Sequence, residues 1–316
     1  MQTAFLFPGQ GSQHAGMARD LFESDVRARD IIQRADDLLG FSLSGHMFDD
    51  GRGELSRTDI TQPALYTHSM AVLALVGEAG LEPDVTAGHS LGEYSALAAA
   101  GAITFEDGLN AVRVRGSLMA EANERQPGGM AAVLGLEAAQ VEQFCDEVGR
   151  ETEGIVVPAN YNAPGQVVVS GHRHSVERLA ERASAAGARR VIILDVGGAF
   201  HSPLMAFAKE GLGAVLDELE IRKPKCPVVL NVTAAPTTDP DEIRKRMLEQ
   251  LLAPVKWMQS LRRMQDDGVE RFIEIGPGRV LSGLVKKTLG RAVPTVQTGT
   301  ADNVSAWINE EAAISD

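Results

Sequence analysis

Residues 86–101 read TAGHSLGEYSALAAAG and place a serine between two glycines, where an apolar strand leads into an Ala-rich helix. The pentapeptide from Gly88 to Gly92 fits G-x-S-x-G, which sets a nucleophile at a sharp strand-to-helix turn. Glycine suits the flanking positions because the chain packs closely around such a bend and leaves no room for a β-carbon. The turn predicts an α/β fold with a nucleophilic Ser90 at the positive end of a helix, where the Leu91 N–H can hold an oxyanion. The alternative is an N-cap serine in an ordinary strand–helix turn.

Strands and helices alternate on both sides of this turn, and the order changes in the middle of the chain. Between 127 and 196 the hydrophobic patterns follow the order β-α-β-β-α-β, which is typical of a ferredoxin-like unit. Glycine pairs border this segment. We therefore predict one α/β domain with a parallel sheet, built from 1–126 and 197–316, and an inserted ferredoxin-like subdomain over 127–196. The acidic end of the chain, 309–316, is expected to be mobile.

Composition excludes several classes of function. The net charge of −13 argues against nucleic-acid binding, because phosphate contacts usually need a basic surface. The cysteines Cys145 and Cys226 lie far apart, with no Cys or His at metal-ligand spacing, so we expect neither a disulfide framework nor a metal site. The first apolar run stops at Pro8 without a basic start, and no run approaches the ~18 residues of a membrane span. We expect a cytoplasmic protein that does not bind membranes.

A serine hydroxyl needs a base before it can attack at neutral pH, so we considered the seven histidines as candidates. His89 adjoins Ser90 but points away from it at such a turn, and is expected to support the bend. His172 and His174 fall on a turn of the inserted unit, where solvated histidines are common. His201 follows the glycine joint at which the chain re-enters the main domain, where clefts form, and is the favoured base.

Two further positions carry alternatives that the residues alone leave open. Gln10 lies in the loop FPGQGSQ after the first strand, and its N–H is either a second oxyanion donor or part of a plain turn. Arg115 stands on an apolar helix face between Val112 and Met119, so it needs a partner if it is buried. Its planar fork would suit a carboxylate in the cleft, and otherwise it snorkels or pairs with a structural acid.

Several motifs together resemble, in this order, those of malonyl-CoA:acyl carrier protein transacylases and the acyltransferase domains of polyketide synthases. They are FPGQGSQ, TQPALYTHSMAV, AGHSLGEYSALAAAG, RG-LM, NYNAPGQVVVSG, FHSPLM, LLAPVKW and EIGPGRVLSGL, and they extend over roughly 3–290. Motifs in this order are far more specific than the serine turn alone. The resemblance implies an α/β-hydrolase-like catalytic domain with a small ferredoxin-like insertion.

The resemblance also implies roles for single residues. Ser90 would take the acyl group from CoA as an ester, with His201 as its base and later as the acid for the leaving thiolate. A main-chain carbonyl, rather than a third acidic side chain, would orient the imidazole. The remaining positions expected at the substrate are the oxyanion donors Gln10 and Leu91, the carboxylate ligand Arg115, and Gln250, Asn162, Met119 and Phe200 around the site.

Substrate and partner expectations follow from the same resemblance. Phe200, directly before His201, goes with malonyl rather than methylmalonyl extender units in the related domains, because its ring fills the space of a branch methyl. It also favours a free-standing enzyme that loads polyketide carriers, although fatty-acid synthesis stays open. We expect a monomer without a cofactor, whose substrates are malonyl-CoA and the phosphopantetheine arm of acyl carrier protein. Candidate docking groups for that acidic partner are the basic pairs Arg189–Arg190, Arg262–Arg263 and Lys286–Lys287.

Competing functions remain. A serine hydrolase or thioesterase would use the same Ser90 and His201, and differs by lacking a need for Arg115. A non-catalytic docking subunit would need none of the three. A trans-acting acyltransferase with another extender unit is the third alternative.

Overall fold

The computed structural model describes residues 1–51 and 53–315. Ten strands lie in these ranges: β1 (Gln2–Phe7), β2 (Val85–Gly88), β3 (Gly128–Leu134), β4 (Val156–Ala163), β5 (Gln166–His172), β6 (Arg190–Ile193), β7 (Val228–Leu230), β8 (Ala235–Thr237), β9 (Val269–Glu274) and β10 (Thr295–Gln297).

In the same ranges, thirteen α-helices connect and cover the strands: α1 (Arg19–Ser24), α2 (Val26–Leu39), α3 (Leu43–Phe48), α4 (Thr58–Glu78), α5 (Gly92–Ala99), α6 (Phe105–Arg125), α7 (Ala138–Thr152), α8 (Arg173–Ala185), α9 (Ala206–Glu218), α10 (Pro240–Glu249), α11 (Trp257–Asp266), α12 (Val280–Leu289) and α13 (Ala301–Ser315). Short 3-10 helices cover Glu54–Ser56 and Pro203–Met205. None of the helices within 1–51 and 53–315 is long and apolar enough to cross a membrane.

The larger sheet has the strand order β10-β9-β1-β2-β7-β8. All neighbours are parallel except β7 and β8, so the alternating strand and helix pattern folds into the expected α/β class. Helices cover both faces of this sheet. Because side chains alternate along β1, Phe5 and Phe7 enter one core, while Ala4 and Leu6 enter the other. The carboxyl end of β2 leads into α5 and carries the serine turn.

The smaller sheet has four antiparallel strands in the order β4-β5-β3-β6. Its chain order β3-α7-β4-β5-α8-β6 is the β-α-β-β-α-β order that the sequence predicts. One face packs on α7 and α8. The other face joins the main core through Met130, Ala132 and Val168. The boundaries 127–196 of a separate subdomain stay a prediction, since this shared core runs from one sheet to the other.

Single residues explain two local features of the helices. Asp25 ends α1 with its extended backbone, and its side chain caps α2 by accepting the Arg27 N–H. Near the end of the chain, α13 extends to Ser315. Trp307 explains this order, because it is buried edge-on against Phe5, 5.8 Å between ring centroids, and ties α13 to the central strand.

Candidate active site

The strand-to-helix turn holds Ser90 in the left-handed region of backbone space, with a φ of 53°. This conformation costs a residue other than glycine about 1–3 kcal/mol, so the surrounding contacts must impose it. A β-carbon on Gly88 would overlap the main chain of Gly92, and one on Gly92 would overlap the carbonyl of Phe7. Close packing therefore requires both flanking glycines, which is the physical reason that the sequence pattern suggests.

His201 reaches the serine hydroxyl and is itself oriented by a main-chain carbonyl. Ser90 Oγ lies 2.7 Å from His201 Nε2, and His201 Nδ1 lies 2.8 Å from the carbonyl oxygen of Gln250. Because a carbonyl only accepts hydrogen bonds, Nδ1 carries the proton and Nε2 is left to accept from the hydroxyl. The geometry is that of a nucleophile and its base, with no acidic third member required.

Burial, followed by the positive charge of Arg115, lowers the pKa of His201 to about 3. The imidazole is therefore neutral near pH 7 and able to take a proton from the hydroxyl.

Arg115 is 1% exposed and lies beside the nucleophile. Its Nη2 donates to Ser90 Oγ and to the side-chain oxygen of Gln250, each at 3.0 Å. Its Nη1 donates to the side-chain oxygen of Gln62 at 2.9 Å. All three acceptors are neutral, so no carboxylate among the described residues hydrogen-bonds this guanidinium. An anionic substrate group would supply one, which favours the carboxylate-binding role over snorkelling or a structural ion pair.

Two main-chain N–H groups remain available at the turn. Those of Gln10 and Leu91 have no acceptor within the part of the chain that the structure describes. Leu91 directly follows Ser90, and the loop of Gln10 runs against the turn, since a β-carbon on Gly9 would overlap the carbonyl of His89. Both groups can therefore donate to an oxyanion that forms at the serine.

Asn162 connects the smaller sheet to the turn from the end of β4. Its side-chain oxygen lies 2.8 Å from His89 Nε2, and the His89 ring packs edge-on against Trp257. His89 thus supports the bend rather than acting as the base.

Met119 and Phe200 are both buried. Phe200 directly precedes His201 and packs closely against Gly198. Met119 contacts the site indirectly, because its sulfur accepts a hydrogen bond of 3.4 Å from the amide of Gln62. It therefore lies behind the partner of the guanidinium.

Three residues without an expected role join the site. Gln62 stands in the motif TQPALYTHSMAV but had no role assigned. Asn231 accepts from the Ser90 N–H at 2.7 Å, although 141 positions separate the two residues. Glu93, one position after the glycine-serine motif, accepts from the Asn231 N–H at 2.6 Å. A polar side chain directly beside a nucleophile motif was the available signal for Glu93; Asn231 offers none.

Basic residues from all three predicted pairs meet around one turn, Pro164–Gly165, two residues beyond Asn162. Lys287 donates to the side chain of Gln166 at 2.8 Å, and its pKa is lowered by partial burial and then by the charge of Arg189. Arg262 lines a cleft with Pro164 and Gly165.

Comparisons with known proteins cover the chain nearly end to end. A family profile described as the acyl transferase domain matches residues 4–312. The chain is 46% identical over 306 residues to a malonyl CoA-acyl carrier protein transacylase of Staphylococcus aureus (strain COL), covering 97% of this chain and 98% of the relative. It is also 46% identical over 307 residues to the Bacillus subtilis (strain 168) protein of that name, covering 97% and 96%.

Two solved structures have the same fold as this chain. A malonyl-transacylase in complex with a type II PKS acyl-carrier protein superposes with a TM-score of 0.94 at 37% identity, covering 98% of this chain and 100% of that one. An acyl-carrier-protein-S-malonyltransferase from Bartonella henselae gives a TM-score of 0.94 at 37% identity, covering 98% and 99%. With its fold, its serine turn and matches of this extent, the chain belongs to the acyl transferase domain family.

Proposed function

We propose that the protein transfers a malonyl group from malonyl-CoA to the phosphopantetheine thiol of acyl carrier protein, through an ester on Ser90. One observation carries the proposal: the Ser90 hydroxyl contacts both a neutral imidazole, on His201, and a buried guanidinium, on Arg115. A nucleophile with its base performs acyl transfer, and the cation beside it selects an acyl group that ends in a carboxylate. The names of the relatives support the same activity.

In the first half-reaction Arg115 binds the free carboxylate of malonyl-CoA. His201 Nε2 takes the hydroxyl proton while Ser90 Oγ attacks the thioester carbonyl, and the N–H groups of Gln10 and Leu91 stabilise the oxyanion. The carbon–sulfur bond breaks, and the imidazolium returns its proton to the CoA thiolate. The products are free CoA and a malonyl ester on the serine.

In the second half-reaction the carrier thiol gives its proton to His201 and attacks the ester. The carbon–oxygen bond breaks and the imidazolium protonates Ser90 Oγ, which restores the enzyme. One thioester replaces another, so the exchange is nearly isoenergetic and reversible. No resident cofactor is needed, because CoA and phosphopantetheine arrive as parts of the substrates.

A transfer assay tests the proposal. The protein is mixed with phosphopantetheine-loaded carrier and with malonyl-, methylmalonyl- or acetyl-CoA, and acylated carrier is measured by mass spectrometry. We expect malonyl transfer to be fastest, since Arg115 binds the carboxylate and Phe200 fills the space of a branch. Equal rates with acetyl-CoA would contradict the role of Arg115, and equal rates with methylmalonyl-CoA would indicate another extender unit.

The setting of the enzyme is part of the proposal. Phe200 favours loading of polyketide carriers over fatty-acid synthesis, and we expect a cytoplasmic monomer. The basic residues around the turn Pro164–Gly165 are the proposed contact for the acidic carrier protein, because that turn begins two residues after Asn162, which contacts the serine turn through His89.

Charge reversal at Lys286 and Lys287 tests the carrier contact. We expect the double change Lys286→Glu and Lys287→Glu to raise KM for carrier protein about tenfold at low salt and to leave KM for malonyl-CoA unchanged, since rim charges steer association. The matched control is Lys209→Glu with Lys245→Glu, which reverses two exposed charges on α9 and α10. Equal effects of the two double variants, or equal effects on both substrates, would contradict the assignment.

The pH profile of acylation tests the state of His201. Because its pKa lies near 3, the neutral base persists as pH falls, and kcat/KM for malonyl-CoA should change less than about twofold between pH 7.5 and 5. A base with the ordinary pKa of about 6.5 would lose about 30-fold over the same range. Stopped-flow measurement of CoA release, with circular dichroism to show that the protein stays folded, separates the two results.

A further inference from the structure

Asn231 makes four hydrogen bonds at the serine turn, from a position directly after β7. Its side-chain oxygen accepts from the Ser90 N–H at 2.7 Å and from the side-chain amide of Gln250 at 3.4 Å. Its side-chain nitrogen donates to the Gly88 carbonyl at 2.6 Å. Its own main-chain N–H donates to the carboxyl group of Glu93 at 2.6 Å. Asn231 and Glu93 are both fully buried.

The side-chain amide of Asn231 forms hydrogen bonds to the main chain on both sides of His89. It donates to the Gly88 carbonyl and accepts from the Ser90 N–H. The two peptide groups that enter the bend are therefore held in one orientation. These contacts oppose relaxation of Ser90 out of its left-handed conformation. They also engage the Ser90 N–H, which leaves the next N–H in the chain, that of Leu91, for the oxyanion.

Glu93 holds Asn231 in place. It stands on α5, three positions after the nucleophile, and binds the main chain of Asn231 across the sheet end. One carboxyl oxygen is used in this bond, and the other has no hydrogen-bond partner among the described residues. Burial raises the pKa of Glu93 to about 8, so a neutral acid is favoured near pH 7.

We propose that Asn231 is a positioning residue for the nucleophile, and that Glu93 acts through it by fixing its main chain. This inference rests on the proposed acyl transfer at Ser90. Asn231 works on the turn and does not contact the malonyl group, so its loss should slow formation of the ester without weakening substrate binding.

The first test is Asn231→Ala. We expect the rate constant for acylation by malonyl-CoA to fall about 100-fold or more, because a misplaced nucleophile forfeits its alignment. The dissociation constant for malonyl-CoA, measured on a Ser90→Ala background, should change less than about threefold, in keeping with effects on the chemical step alone. Asn123→Ala is the control, since that side chain also accepts a main-chain N–H, from Gly128, elsewhere in the fold.

Asn231→Asp adds a readout that a general loss of stability would not produce. The introduced carboxylate, when ionised, accepts from the Ser90 N–H but repels the Gly88 carbonyl, whereas its protonated form can donate to that carbonyl. Acylation by this variant should therefore rise as pH falls from 8 to 5, while the wild type stays flat. The charged or titratable groups around this position are Glu93 on α5, Arg115 on α6, and the histidines His89 and His201; Lys256 bonds Asn231 through its main-chain N–H.

Glu93→Gln and Glu93→Ala complete the test. Glutamine keeps an acceptor for the Asn231 N–H, so we expect acylation within about threefold of wild type, while alanine should lose at least ten times more than glutamine does. The inference is overturned if folded Asn231→Ala acylates within fivefold of wild type, if the aspartate profile is flat, or if glutamine and alanine at 93 behave alike. Failure of the wild type to form a malonyl ester would instead overturn the proposed function.

Discussion

Replacing Ser90 by alanine should reduce malonyl transfer by about 10⁴-fold or more. The hydroxyl is the atom that carries the acyl group between two thiols, and neither His201 nor Arg115 can replace it. Folding should be unaffected, because alanine removes one oxygen atom and keeps the β-carbon at the strained position. The measurement is the initial rate of malonyl-carrier formation, with thermal unfolding recorded beside it.

Ser95→Ala is the matched control for this change, since Ser95 is buried further along α5. It should transfer malonyl at close to the wild-type rate. Wild-type transfer by Ser90→Ala would leave the serine without a covalent role. Binding of carrier protein by the wild type without any malonyl transfer would instead favour the alternative in which the protein only docks carrier protein.

Arg115→Ala should invert substrate preference rather than abolish chemistry. Removing one partner of a buried, hydrogen-bonded charge pair costs about 2–5 kcal/mol, which corresponds to a loss of about 30- to 4,000-fold in kcat/KM for malonyl-CoA. Acetyl-CoA has no carboxylate to lose, so its kcat/KM should stay level or increase. The ratio of the two kcat/KM values, measured by CoA release, is the decisive quantity.

Two neighbouring variants sharpen this result. Arg113→Ala removes an exposed guanidinium from the same helix, two positions earlier, and should leave the ratio unchanged. Arg115→Lys keeps the charge but loses the planar fork. Its ratio of kcat/KM for malonyl-CoA to that for acetyl-CoA should therefore lie between the ratios of Arg115→Ala and the wild type. If Arg115→Ala lowers kcat/KM equally for malonyl-CoA and acetyl-CoA, the guanidinium supports the serine and the glutamines around it instead of binding the carboxylate.

Local patterns in the sequence were sufficient for the serine turn and for the class of fold. The glycines at 88 and 92 are required by contacts close along the chain or with the first strand, and such constraints leave a readable signature. Apolar periodicity similarly predicted the parallel sheet and the β-α-β-β-α-β segment. His201 could be favoured from its place after a glycine joint, but its distance from the hydroxyl depends on the tertiary fold.

The residues that hold Ser90 and His201 in place were not predictable from local patterns in the sequence. The main-chain carbonyl of Gln250 that orients His201 carries no side-chain signature, and Asn231 reaches Ser90 across 141 positions. Neither residue differs in sequence from an ordinary polar residue, and only the tertiary fold places Gln250, at the end of α10, and Asn231, after β7, beside the serine turn. The contact that ties α13 to the central strand, Trp307 against Phe5, likewise joins residues from the two ends of the chain and leaves no local signature.

The central claim is that Ser90 holds a malonyl group between two thiols, and intact-protein mass spectrometry tests it most directly. After mixing with malonyl-CoA, the protein should gain the mass of one malonyl group, mapped by proteolysis to the peptide containing Ser90. The adduct should persist without a thiol and disappear when phosphopantetheine-loaded carrier is added, with the same mass appearing on the carrier. Rapid loss of the group to water would identify a hydrolase, and an adduct that forms equally on Ser90→Ala would contradict the account.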